Sequence, residues 1–499
     1  MSRVGIGRAA VVFLVLGLVV VASFAVYEVY FTGGNGSCAV LHSTNPVRSQ
    51  VSNTTFGAVT EWKLPGPNRY PNAIADTTDG SVWFTEMEVP GVAHLYPNNG
   101  TLVEYPWPGY SPPYAPFCSP SASTFGIAIW NGRVWAADES NNFIVGTSPS
   151  GGPLVKYNTT GVADYPYWLT VGPDGALWFT SDNTPARLGR IAPNMSMSVI
   201  NLEGLGNDNP IQLEFVNSTL AYLSTVNLSE NATTQGCLCT GHVYSFNPES
   251  SGSNITPTVV GAGYTLILPT SVSYQNGEIW VAQHDASSIE SYNLASGVWT
   301  TYPTSLVRWT NTTLPLVVYA TDSGVWFNEH YANKIALLNP GGETMTEYSE
   351  TNPPISNDSQ IQNDESIAPT SSGLWFTSIS GNYVGFVSSG YKPGFNVSVS
   401  GSNSVSLAPG GNASFALRVS GSWAEQMQVS ASDSENPESI PQSIHIAPGT
   451  TTIQPGSSPF DLEVKIEVGQ SVNAGNYTVA VTVTNGDLQQ VAYLFIRVT

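Results

Sequence analysis

The chain has 499 residues, enough for two or three packed domains, and only 10% of them are charged, against roughly a quarter in ordinary soluble domains. Its formal net charge of −21 arises from 15 Lys and Arg set against 36 Asp and Glu, a balance that repels phosphate backbones and anionic lipid surfaces and excludes nucleic acid as a partner. No Walker loop, dinucleotide fingerprint after a strand, HExxH or GxSxG occurs, so the commonest sequence-legible chemistries are excluded too.

The N-terminus carries Arg3 and Arg8, followed by an apolar run from Ala9 that continues to Phe31. That length spans a bilayer, and basic residues before it with none soon after predict a cytoplasmic tail of residues 1–8 and a transmembrane signal anchor over 9–31. Ser23-Phe24-Ala25 has the small-x-small form of a cleavage site, so secretion after signal cleavage is the alternative. Either way residues 32–499 are expected outside the cell, with the membrane as a partner if the anchor is retained. Cys38, Cys118, Cys237 and Cys239 can oxidise there. A bridge closing Cys237-Leu238-Cys239 would be strained, so each of these two is expected to pair with Cys38 or Cys118. Cys237-x-Cys239-x-x-His242 is also spaced as a set of soft metal ligands. Fourteen Asn-x-Ser/Thr sequons, among them Asn53, Asn99, Asn158, Asn254, Asn311 and Asn476, suit a glycoprotein surface.

After a stalk over 32–56, an apolar-Trp-apolar-small-polar strand recurs. Its anchors are Trp83, Trp135, Trp178, Trp280, Trp326 and Trp375, with Tyr222 in a degenerate copy where the spacing requires one. Seven anchors at blade-sized intervals predict a seven-bladed β-propeller over 57–390, with the tryptophans as packing between blades. Thr60-Glu61-Trp62-Lys63 has the form of an outer strand but precedes the first anchor, whereas none follows Trp375. Ring closure by the N-terminal strand is therefore expected, which removes both sheet edges. From 393 to 499 the texture changes to short alternating strands with Gly and Pro turns, the size and spacing of an immunoglobulin-like β-sandwich.

The repeated Trp-Phe-Thr-Glu, Ala-Asn-Lys-Ile and Glu-Tyr-x-x-Pro elements, best seen at Val82–Glu86 and Val325–Leu337, resemble the virginiamycin B lyase (streptogramin lyase) family over about 57–390. The resemblance implies a carbon-oxygen lyase that opens a cyclic depsipeptide by elimination, with a His base and acidic residues holding Mg²⁺. In that pattern a Pro-His pair enters each of the last two inner strands and a Glu follows the final Trp strand. The matching positions here are Pro315-Leu316, Asp364-Glu365 and Ser378-Ile379, so both histidines and the Glu are missing. Glu365 is the one replacement base on offer, since a shielded carboxylate rises toward neutral pKa.

By the repeat register, the loops entering the inner strands and those following the Trp strands share one face. They bring Glu86, Glu88, Asp138, Glu139, Asp182, Gln283, His284, Asp285, Glu329, His330 and Glu365 to a central funnel. Glu86, Asp138, Gln283, His284, Glu329, His330 and Glu365 are the candidate binding set. Glu86, Glu329, Glu365 and His330 are candidate ligands for a divalent cation such as Mg²⁺ or Ca²⁺. The functional expectation is a membrane-tethered extracellular binding or scaffold protein that recognises a glycan, peptide or cell-surface protein. The alternatives are a metal-assisted extracellular lyase or lactonase acting on a cyclic ester in the funnel, and a coat component that assembles through the sandwich.

Overall fold

The computed structural model describes residues 46–499 apart from 67–68, 88–89, 108–123, 228–238, 251–252, 306–311, 340, 342, 352–359, 434–443, 457 and 487. The expected tail and anchor, 1–31, lie outside these residues, as do Cys38, Cys118, Cys237 and Glu88. No helix among the described residues is long and apolar enough to cross a membrane.

Every described element is a β-strand. Seven sheets each begin with an inner strand: Pro71–Asp76, Thr124–Trp130, Pro166–Val171, Asn209–Asn217, Pro269–Gln275, Pro315–Thr321 and Asp364–Thr370. Each inner strand lies beside the next, and the seventh lies beside the first, so the ring is closed. This is a β-propeller arrangement, and its closure works as expected. Val59–Lys63 pairs antiparallel with Tyr383–Ser388 and supplies the outer strand of the seventh sheet. The long insertion after Tyr222 also finds a use, because Asn254–Ile255 adds to the outer strand of the third sheet.

The recurrent Trp strand explains how neighbouring sheets adhere. Trp83, Trp135, Trp178, Tyr222, Trp280, Trp326 and Trp375 are all buried. Trp178, for example, packs with Leu188 of its own sheet and Leu213 and Leu223 of the next. The Phe that follows the Trp points the opposite way and needs a small residue across the ladder. Phe84 opposes Ala93, Phe179 opposes Gly189, Phe327 opposes Ala336 and Phe376 opposes Gly385. A Cβ placed on Gly189 would lie only 1.9 Å from Cζ of the Phe179 ring. Gly189→Ala is therefore expected to destabilise the protein by about 1–3 kcal/mol through overpacking. A urea midpoint equal to that of the parent chain would rule this out.

The C-terminal strands form a two-sheet sandwich. One sheet is Phe395–Ser400, Asn412–Gly421, Phe460–Val468 and Ile444–Pro448; the other holds Thr452–Ile453, Met427–Asp433, Gly475–Asn485 and Leu488–Val498. The alternation in Phe460–Val468, with Leu462, Val464 and Ile466 buried between exposed polar residues, is that of a half-buried sheet. The second sheet does not stop at the sandwich. Leu488–Val498 pairs through Leu488–Ala492 with the outer strand of the sixth propeller sheet, Thr344–Ser349. One hydrogen-bonded sheet thus runs from the propeller axis into the sandwich, and Tyr493 is buried between them with its hydroxyl donating to the Pro303 carbonyl.

Candidate functional site at the channel mouth

One local device builds the mouth of the central channel. The residue before five of the inner strands is left-handed: Tyr70, Tyr165, Leu268, Leu314 and Asn363 have φ of 50°, 54°, 45°, 50° and 51°. Four of them precede a proline, an arrangement that non-glycine residues adopt only when tertiary contacts enforce it. Their carbonyls accept the backbone N–H of Met87, Asp182, His284, His330 and Ile379, each the residue just past its Trp strand. Every inner strand then carries a bulge within its first few residues, so its second and third residues turn toward the axis.

This device decides which predicted site residues reach the mouth. The last residue of each Trp strand pairs with the first residue of the inner strand and points into the sheet packing. Glu86 lies 3.9 Å from Arg69, whose Nε donates to Glu104 at 2.6 Å. Glu329 lies 3.8 Å from Lys334, which pairs with Glu347 at 2.9 Å. Burial, then the second carboxylate, raises Glu86 and Glu329 well above the usual range, while each buried cation opposes the rise. Asp138 caps its own turn by accepting from Asn141 and Ser140. Gln283 accepts from Ile267 N–H and donates to Glu290. These four predicted site residues are therefore corrected to internal supports, because the strand parity is one residue off. The cation site proposed on Glu86, Glu329, Glu365 and His330 is not assembled. Among the described residues no group of three or more His, Cys, Asp or Glu is arranged to hold a metal ion. His242, offered as a soft-metal ligand, instead places Nδ1 2.7 Å from Asp208. Cys239 is buried, and the other three cysteines lie outside the described residues.

The residues one position later do converge. Met87 and Ile379 meet Tyr70 in one apolar corner. Val226 packs with Tyr167. Glu139 and Asp182 lie together, and burial followed by the neighbouring Glu139 holds Asp182 well above the usual carboxylate range. Burial, with Glu139, Asp182 and Glu365 around it, keeps the Tyr167 hydroxyl protonated. On the far side the His284 and His330 rings lie 6.0 Å apart. His284 Nδ1 is 2.7 Å from Asp285, and its buried Nε2 has no hydrogen-bond partner among the described residues. His330 Nδ1 is 3.3 Å from the Asp364 carbonyl and 3.4 Å from the Glu365 carboxyl. Burial lowers His330 to about 3 and raises Glu365 to about 8, so at pH 7 this is a contact between neutral groups rather than an ion pair. Of the predicted set, then, His284, His330 and Glu365 come together.

Below them the channel is narrow. Asn72, Phe125, Tyr167, Gln212, Thr270, Leu316 and Glu365, one from each inner strand, enclose a cavity of about 20 Å³, near the volume of one water. A second of about 100 Å³ lies further along, beside Glu214 and Tyr319. Phe125 and Tyr167 stack at 4.8 Å and form one wall. Sequence reasoning missed these two aromatics. The available signal was an X-Pro or Thr-Phe entry into six of the seven inner strands, whose bulge rotates the following side chain inward.

The fold has a solved counterpart. Selenomethionine-substituted virginiamycin B lyase from Staphylococcus aureus superposes with a TM-score of 0.50 and 21% identity, over 66% of this chain and 98% of that one. The propeller has the virginiamycin B lyase fold. A streptogramin B lyase structure aligns with a TM-score of 0.48 and 19% identity, over 66% of this chain and 96% of that one. A Bacteroides thetaiotaomicron protein of unknown function aligns at 0.39 and 11%, over 69% and 76%. No family model matches the chain, and no curated protein sequence matches it. At such identity the likeness to the lyase is one of fold.

Proposed function

We propose that this chain is an exported, membrane-tethered binding protein with a seven-bladed lyase-like propeller and an immunoglobulin-like sandwich, and that it does not run the lyase elimination. One observation carries the reading: Leu316 and Ile379, both buried and apolar, stand where the lyase pattern has a histidine and the final glutamate. Without a proton acceptor at either place, elimination has no base and no acidic ligand there. What the mouth offers instead is the Glu139–Asp182 pair, with the Phe125–Tyr167 stack in the narrow channel below it. That combination suits a ligand bearing amino or hydroxyl groups, such as a peptide or glycan of a neighbouring surface protein.

A second reading is favoured by one feature, the Asp285 carboxylate that orients His284 and leaves Nε2 unpartnered, which is the arrangement of a general base acting on a cyclic ester. Incubation with a streptogramin B depsipeptide and with simple lactones, with and without Mg²⁺, separates the two. Binding predicts that every substrate keeps its chromatographic retention and fragmentation pattern after overnight incubation; mass alone does not decide, because ring opening by elimination yields an isomer of the same mass. Ring opening abolished by His284→Ala would replace the binding reading with the enzymatic one. Protease treatment of intact cells tests export, since residues 46–499 are expected to be digested while the cell stays sealed.

A further inference from the structure

The sixth sheet continues outward through Leu488–Val498 and Gly475–Asn485, whereas the fifth ends at Val298–Pro303. Beyond the edge of the fifth sheet, the face of the longer one is therefore left uncovered. A groove of about 770 Å³ results, within the roughly 300–1,000 Å³ typical of ligand sites. Register shows which side chains face it. Thr478 opposes Phe495 and Asn476 opposes Arg497. The Phe495 ring meets Tyr302 of the fifth sheet edge-on at 6.3 Å, so Asn476, Thr478, Phe495 and Arg497 share the side turned to the groove. Tyr477 and Ile496, between them, pack into the sandwich core.

The opposite wall is an aromatic platform. Tyr264 lies parallel to Trp299 at 5.1 Å and 15°, and Tyr292 supports Trp299 from 4.7 Å. The stack on Trp299 orients the Tyr264 ring, while 37% of the residue stays exposed. Exposed aromatic faces pack against the apolar C–H faces of sugar rings, and Ser404, Thr300 and Arg497 supply hydrogen bonds for the hydroxyl edges.

Asn476 is exposed and begins the sequon Asn476-Tyr477-Thr478. We propose that Asn476 is a glycan acceptor, and that its first sugars lie in this groove against Tyr264 and Trp299, tying the sandwich to the fifth sheet. This rests on the exported reading above. The extended strand puts Asn476 and Thr478 on the same side and aims the amide at the platform, so the attached chain enters the groove directly.

The test begins with glycopeptide mass spectrometry of the full chain purified from the cells that make it. Hydrogen exchange over 297–303 is then compared between the parent, Asn476→Gln and, as a control at another exposed sequon, Asn99→Gln. Sugar on Asn476, with at least threefold faster exchange in Asn476→Gln alone, is the expected result. A bare Asn476 beside occupied Asn53, Asn99 or Asn158 overturns the inference and leaves export standing. An occupied Asn476 whose removal leaves exchange unchanged overturns the placement in the groove. No sugar at any sequon overturns the inference as well, and the whole-cell protease experiment then decides export separately.

Discussion

Truncation after Tyr391 is expected to destabilise the propeller itself rather than release an intact ring from an appended module. The outer strand of the sixth sheet, Thr344–Ser349, would lose its ladder partner over Leu488–Ala492 and become a bare edge. Tyr493, Val491 and Ala480 would leave the cluster in which they pack with Trp280, Tyr302 and Met345. Gln489, which accepts from Lys334 at 2.6 Å and from Ser305, would leave the buried Lys334–Glu347 pair less satisfied. The single substitution Tyr493→Ala should already cost about 3 kcal/mol, as large aromatic truncations do, and loss of residues 392–499 more. Urea denaturation of residues 46–391 and 46–499 checks this. Coincident midpoints would mean that the shared sheet contributes nothing and that the two parts are independent.

The second large effect is on pH dependence. Burial raises Glu61 and Glu214 to about 7, and Glu290, Glu350 and Glu365 to about 8. For each, the folded chain holds a proton that the unfolded chain releases near 4.5. Stability from these groups is thus fully present below that value and is lost as pH rises through the folded pKa. The buried imidazoles His94 and His330, lowered by burial to about 4 and about 3, act in the opposite sense. They add stability as pH rises toward 6.5 and nothing above it. Between 4.5 and 6.5 the two trends offset each other in part; from 6.5 to 8 only the carboxyl loss remains, at about 1.4 kcal/mol per pH unit for each proton difference. The thermal midpoint should therefore fall by several degrees from pH 6.5 to 8. Glu290→Gln and Glu350→Gln should flatten the slope, because an amide keeps the neutral form at every pH. A midpoint that rises over this interval would show that the buried carboxyls are ionised in the folded chain.

The same buried acids show why the fold was more legible than the site. The Trp spacing, the misplaced Thr60–Lys63 strand and the change of texture near 393 are local patterns with a fixed period. A four-stranded unit can bury its two faces only by stacking on copies of itself, so period, ring and closure all follow from the sequence. Glu86, Asp138, Gln283 and Glu329 were legible as polar residues ending a Trp strand, yet their direction was not. For Glu86, Gln283 and Glu329 it depends on one hydrogen bond from the next residue to the left-handed residue that precedes the inner strand, and that bond sets which of two adjacent side chains faces the axis. Lys334 lies directly across the hairpin from Glu329, but Arg69 reaches Glu86 from the loop before the first inner strand, and the Asp285–His284–His330–Glu365 cluster is assembled from three sheets. The junction was hidden for the same reason: nothing local in Leu488–Val498 marks it as the strand that joins sandwich to propeller. By itself, then, the sequence determined the repeat, the closure and the loss of the lyase residues, because each is carried by residue type at a fixed spacing. The tertiary structure alone decided which polar groups meet at the mouth, and that the two parts share one sheet, because both depend on backbone hydrogen bonds between segments far apart in the chain.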